Sequence, residues 1–303
     1  MAKKLRGCFP ALITPMKEDG DRLNHAVNWD ALKELIAFVT ENGVTGVVPA
    51  GCTGHAAAMT INEQIQLIKF ARENTPEKFS VLAGDGSNCT REAIEFAKKV
   101  EQEIGPCIHM QISPYQNKPT MEGMFQHYGK IAEAIQGELI VYNVPGRTGK
   151  NIEPDTTVRL AKEYSNIIAI KEASGNLEQI KKIISETSDM PFSVISGDDP
   201  LTLDIIRAGG TGCISVAANI APKQTSEYIG LALEGKFDEA EAIEKNLHGL
   251  FKAIFIETNP CPTHYALRKM GFGAGVPRLP LVDISDKSKA EMDRVLAELG
   301  IAK

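Results

Sequence analysis

Lys171 is the residue whose placement in this sequence most needs a chemical explanation. It follows the apolar run NIIAI at 166–170, in a segment that reads as a strand buried on both faces, where an ammonium is costly to desolvate. Two readings stand on position alone. Either the side chain reaches water at the strand's end or pairs with Glu172, or desolvation lowers its pKa and frees a neutral amine to attack a carbonyl as a Schiff-base nucleophile. Tyr142 closes the preceding apolar run. It is either an amphipathic core residue or the group that moves the protons imine formation requires. Arg147 lies in PGRTG at 145–149 and is either a solvated arginine or a carboxylate clamp. The turn GCTGH at 51–55 offers unencumbered backbone N–H groups and the Thr53 hydroxyl, a pattern that suits an anion but equally suits a tight turn with a threonine cap. That turn is expected to open a helix. His55 and His109 read as structural or solvated, because no carboxylate pair at metal-ligand spacing accompanies them.

The elements that must hold these side chains recur with a regular beat. Short β-branched runs occur near 8, 46, 79, 107, 137, 166, 192 and 211, each followed by a stretch with helical spacing of apolar residues. In one such stretch Leu32, Ile36 and Val39 share a face and Gly43 stops the helix; another, from 90 to 105, is opened by a Thr90 cap. Continuous apolar strands alternating with helices call for a parallel sheet covered on both faces. Eight such units in about 235 residues predict a (β/α)8 TIM barrel over 1–235. Beyond it, helices separated by Pro and Gly predict a C-terminal helical appendage over 236–303. A doubly wound open sheet is the alternative, but no GxGxxG follows the first strand and there is no Walker sequence. In a barrel the polar residues that close each run all face one mouth, where catalysis is placed.

Composition excludes several classes of partner. With a net charge of −6 and scattered Lys and Arg, the chain has no footprint for nucleic acid or an anionic membrane. No apolar run approaches the roughly 20 residues of a membrane span. The start of the chain passes from two lysines into a strand without a small-residue cleavage site, so a cytoplasmic location is expected. The six cysteines, at 8, 52, 89, 107, 213 and 261, contain no CxxC pair, which argues against a disulfide framework and a zinc site. A small molecule is the expected partner.

Taken in order, GCTG at 51, AGDGSN at 83, PYQNKPT at 114, YNVPGRTG at 142, IKEASG at 170, SGDD at 196, GCISVAAN at 212 and NPCP at 259 resemble the pyruvate-dependent class I aldolases of the dihydrodipicolinate synthase and N-acetylneuraminate lyase family. The resemblance covers nearly the whole chain, and GRTG points toward the synthase branch. It implies that Lys171 condenses with pyruvate, that the resulting enamine attacks aspartate semialdehyde, and that no cofactor or metal takes part. It also assigns proton shuttling to Tyr142, the pyruvate carboxylate to Thr53 and its neighbouring amides, and the second substrate's carboxylate to Arg147. Backbone around Gly197 and Ile214 would line the pocket, and a homo-oligomer, dimer or tetramer, would lend one group across a tight interface.

The departures from that pattern are equally specific. Cys52 stands where the synthases carry a threonine, His55 where they carry a glutamate, and Gln116 where they carry a second tyrosine. The threonine and second tyrosine belong to a hydroxyl relay with the strand-five tyrosine; an amide does not readily exchange a proton, and a thiol is a weaker hydrogen-bond partner. The expectation is a broken or rerouted relay at Cys52 and Gln116. Two alternatives follow: a related lyase or dehydratase acting on another 2-oxo acid, and a catalytically weak keto-acid-binding paralogue. Asn88, Glu92 and Tyr115 match the family's lysine-feedback site, whereas Ala56, Ile61 and Gln64 replace polar residues there.

Overall fold

The computed structural model describes residues 5–301. Eight parallel strands close into a barrel: β1 (Gly7–Pro10), β2 (Gly46–Val47), β3 (Ser80–Ala83), β4 (Ile108–Ile112), β5 (Glu138–Asn143), β6 (Ile167–Glu172), β7 (Ser193–Ser196) and β8 (Gly212–Ser215). The ladder runs from β2 through β3 to β8 and on to β1. Closure between β1 and β2 comes from a parallel bridge, Ala11 to Val48, with Val48 N–H donating to Pro10 O at 2.9 Å and Leu12 N–H to Val48 O at 3.1 Å. The eight apolar runs of the sequence are these eight strands, and the TIM barrel is the observed architecture.

Helices α1 (Trp29–Glu41), α2 (Ile61–Asn74), α3 (Thr90–Ile104) and α4 (Met121–Ala134) cover the first strands. They are followed by the single turn α5 (Pro145–Thr148), then α6 (Pro154–Glu163), α7 (Leu177–Glu186), α8 (Thr202–Arg207) and α9 (Pro222–Leu233). After Gly235 come α10 (Phe237–Ala253), α11 (Cys261–Lys269) and α12 (Asp286–Glu298). Leu247, Leu250 and Phe251 of α10 and Met292, Val295 and Leu296 of α12 join one apolar cluster with Cys8, Val47, Leu32 and Ile36. The C-terminal helices are therefore packed onto the barrel rather than attached at its edge.

Two helix starts differ from expectation. Cys89, not Thr90, occupies the N-cap position of α3, without a side-chain cap, and the Thr90 hydroxyl turns to His127 Nδ1 on α4 at 2.9 Å. The GCTGH turn does not run directly into a helix either. His55 adopts a left-handed φ of 57°, a single 3-10 turn covers Ala56–Ala58, and α2 begins only at Ile61. A capping box starts it: the Thr60 side chain accepts from Glu63 N–H while the Glu63 carboxylate accepts from Thr60 N–H.

Inside the barrel, Phe9, Val48, Leu82, Met110, Ile140, Ile195 and Ile214 form a dry plug beneath the mouth. Strand ends above it are packed backbone to backbone. A Cβ added at Gly84 would lie 2.6 Å from Ala50 O and 2.8 Å from Gly51 N, main-chain atoms that lead into the GCTGH turn and cannot swing aside. We predict that Gly84→Ala lowers stability by about 1–3 kcal/mol, the usual cost of overpacking. Urea denaturation measures it, and wild-type stability would show that the turn yields freely.

Candidate active site

Lys171 is in register with Tyr142 of β5 and Ile195 of β7, so all three project into the barrel. Its Nζ sits 4.2 Å from the centroid of the Tyr142 ring. Glu172, one residue on, faces the opposite side of the sheet. There its carboxylate accepts from Asn143 Nδ2 at 3.1 Å, Gln179 Nε2 at 3.1 Å and Ser174 N–H at 2.8 Å. This corrects the reading in which Glu172 pairs with Lys171: alternation along the strand separates them. Water does not relieve the amine, since Lys171 is only 6% exposed.

Burial is the dominant influence on that amine and lowers its pKa from 10.5 to about 8. Cys52, Cys213 and Asp199 act in the opposite direction, and Arg147 acts with burial. At pH 7 about a tenth of the molecules then carry the neutral amine, against about one in three thousand for an ordinary lysine. The lysine stem is held in place by Gly197. A Cβ there would meet Lys171 Cε at 2.9 Å and Ala173 Cβ at 2.8 Å, so only glycine leaves room for the extended chain.

Tyr142 is buried, and burial pushes its hydroxyl well above the ordinary value, with the adjacent Cys52 thiol adding to the shift and Arg147 opposing it. Cys52, Tyr142, Arg147 and Lys171 therefore share one electrostatic neighbourhood. Arg147, on α5, is exposed yet tied back, Nη2 donating to Asn259 O at 3.2 Å. Thr53 is buried, and its Oγ1 accepts from Asn259 Nδ2 at 3.0 Å. Among the described residues, none accepts from the N–H groups of Cys52, Thr53 or Gly54 or from the Thr53 hydroxyl. Ile214 lies in the apolar plug.

Gln116 is not brought into this group. It occupies an exposed loop at φ 69°, beside Tyr115, and makes no described hydrogen bond to Tyr142 or Cys52. His55 is the buried last residue of the turn, where burial first and then Arg278 lower its pKa to about 4, so it is neutral near pH 7. His109 is structural, packed outside the barrel between Asp85, at 2.5 Å, and Glu101, at 3.3 Å. Burial disfavours its charge, but Asp85 and Cys107 together outweigh burial and raise its pKa to about 11.

Two residues of the site escaped sequence reasoning. Asp199 is buried, forms no ion pair among the described residues, and accepts from the Ser215 hydroxyl, from Val216 N–H at 2.9 Å and from Ala217 N–H at 3.2 Å. Its charge acts on Lys171. Asn259 reaches the mouth from the segment before α11. The only signals were the doubled aspartate of SGDD and the paired prolines of NPCP.

Fold and site together define a (β/α)8-barrel protein with a desolvated lysine at the carboxyl end of its sixth strand. The dihydrodipicolinate synthetase family model matches residues 4–299. A 4-hydroxy-tetrahydrodipicolinate synthase of Methanocaldococcus jannaschii is 46% identical over 296 residues, 98% of this chain and 99% of that one. One of Chloroherpeton thalassium is 42% identical over 301 residues, 99% and 97% of the two chains. The crystal structure of dihydrodipicolinate synthase from Aquifex aeolicus superposes with a TM-score of 0.93 at 36% identity, covering 98% of this chain and 99% of that one. This chain belongs to the dihydrodipicolinate synthetase family.

The lowered pKa has a direct chemical readout. Competitive labelling with a small acylating reagent is predicted to show Lys171 reactivity rising with pH to a plateau with a midpoint near 8. Surface lysines would still be gaining reactivity above pH 10. A Lys171 midpoint near 10.5, followed by mass spectrometry of its peptide, would mean the amine is solvated.

Proposed function

We propose that this protein condenses pyruvate with L-aspartate 4-semialdehyde to give 4-hydroxy-tetrahydrodipicolinate, the entry to lysine and diaminopimelate synthesis. The observation that carries the reading is the buried Lys171 beside Tyr142, without an ion-pair partner among the described residues, in a chain related over 98% of its length to a synthase of that name.

The neutral Lys171 amine attacks the keto carbon of pyruvate, and the carbinolamine loses water to leave an imine. Tyr142 relays the protons of these steps. Loss of a methyl proton gives an enamine, whose terminal carbon bonds to the aldehyde carbon of the second substrate. That substrate's amino group then attacks the imine carbon, closes the ring and expels Lys171. The imine itself is the electron sink, so the reaction draws on no cofactor or metal. The free N–H groups of Cys52, Thr53 and Gly54, with the Thr53 hydroxyl, suit the pyruvate carboxylate. Arg147 at the rim suits the carboxylate of the aldehyde substrate. Gly197 and Ile214 line the pocket.

Cys52 beside Tyr142 is the observation that favours the second reading, a sister lyase or dehydratase for another 2-oxo acid. Gln116 bears on it only across an interface: the exposed Gln116 and the 39% exposed Tyr115 support a homo-oligomer, dimer or tetramer, in which this loop meets a neighbouring copy's mouth. No described helix is long and apolar enough to cross a membrane, and we assign the enzyme to the cytoplasm.

Incubation with pyruvate and borohydride tests the reading. Lys171 is expected to gain the mass of pyruvic acid less one oxygen, and the protein to turn over pyruvate with aspartate semialdehyde. Cys52→Thr combined with Gln116→Tyr is predicted to raise that turnover on the order of tenfold, by restoring hydroxyls to the relay. An adduct without turnover in either protein points to the sister enzyme, and no adduct at all leaves only the weak paralogue.

A further inference from the structure

We propose that Asn259 is a positioning residue that sets the direction of the Thr53 hydroxyl, turning its proton toward the carboxylate of the bound keto acid. The inference rests on the pyruvate reading above and extends it to a residue on the C-terminal helical segment.

A threonine hydroxyl has one proton to give and two lone pairs to receive with. Asn259 Nδ2 donates to Thr53 Oγ1 at 3.0 Å and so fills one lone pair. An amide N–H cannot take the hydroxyl proton in return. No other described residue accepts that proton, and the N–H groups of Cys52, Thr53 and Gly54 are equally unspent. Four donors are left in one turn, which is the polarity a carboxylate requires.

The backbone that presents this amide is held from several sides. Its own main-chain carbonyl accepts from Arg147 Nη2 at 3.2 Å, and the bonds Cys261 N–H to Thr258 O and His264 N–H to Pro260 O, both 3.0 Å, frame the residue at the start of α11. Asn259 Oδ1 is buried with no partner. A swapped amide would let Oδ1 accept from the Thr53 hydroxyl and would consume the proton the ligand needs. The orphaned oxygen is thus the cost of keeping that proton free. The same residue touches both halves of the mouth, the strand-two turn through its side chain and the strand-five arginine through its backbone.

The readout is the pyruvate concentration that half-saturates borohydride trapping at Lys171, with circular dichroism and thermal midpoints confirming each variant's fold. In Asn259→Asp the carboxylate can only accept, so it captures the Thr53 proton; half-saturation should rise about tenfold or more. Asn259→Ala, which merely frees the hydroxyl, should raise it about threefold and add nothing further in a Thr53→Val background. Should Asn259→Ala not fold, Asn259→Ser enters the same cycle. A purely structural role predicts the reverse order, because aspartate is the closer isostere. Aspartate equal to or milder than alanine, or alanine and valine effects that simply add, would overturn the proposal. Absence of an adduct in the wild-type protein would instead remove the pyruvate reading itself.

Discussion

Everything at the mouth of this barrel depends on the cost of burying one amine. A closed ring of eight parallel strands leaves no edge and little water, and Lys171 projects from the sixth strand into that interior with no ion-pair partner among the described residues. Its strand neighbour Glu172 is taken up outside the barrel by Asn143, Gln179 and Ser174. Because successive residues of a strand face opposite sides of the sheet, the two charges are kept apart and Glu172 cannot hold the proton on Lys171. Gly197 completes the arrangement by leaving space for the lysine stem. The low pKa therefore follows from fold geometry rather than from a dedicated cation nearby, Arg147 being the smallest of the named influences.

The second level of organisation lies in the segment after the barrel. Helices α10 and α12 share an apolar core with the barrel's own helices, and that packing carries Asn259 back over the mouth. Thr53 and Arg147 come from turns after strands two and five, and they meet on this one residue. A site drawn from loops of a barrel is usually fixed by the strands beneath it; here part of its precision comes from the opposite direction, through a residue that arrives late in the chain.

Much of this was legible in the sequence because the physics was local. Apolar runs alternating with helical stretches gave all eight strands, and a lysine ending a doubly buried run gave Lys171. The helix starts at 56–61 and 89–90 differ from expectation, the first for a local reason and the second for a tertiary one. A left-handed residue at His55 delayed α2, whose true start was written in Thr60 and Glu63, and a tertiary bond to His127 took the Thr90 hydroxyl from its cap. The remainder was non-local. Asn259 and Asp199 act through partners as far as 206 residues away in sequence, and no periodicity announces such a contact. Gln116 shows the converse. Its motif placed it in a relay, while within one chain it stands on an exposed loop.

Cys52 and Tyr142 influence one another electrostatically at the mouth, which is why the proposal of a sister enzyme turns on that thiol. The claim beneath that distinction is that the desolvated Lys171 forms a covalent imine with pyruvate. A crystal structure of the protein soaked in pyruvate tests it most directly. The account predicts continuous density from Lys171 Nζ to the keto carbon, with the carboxylate against Thr53 and the amides of the strand-two turn. Pyruvate held non-covalently with Lys171 Nζ apart from its keto carbon, or an empty mouth at saturating pyruvate, would contradict it.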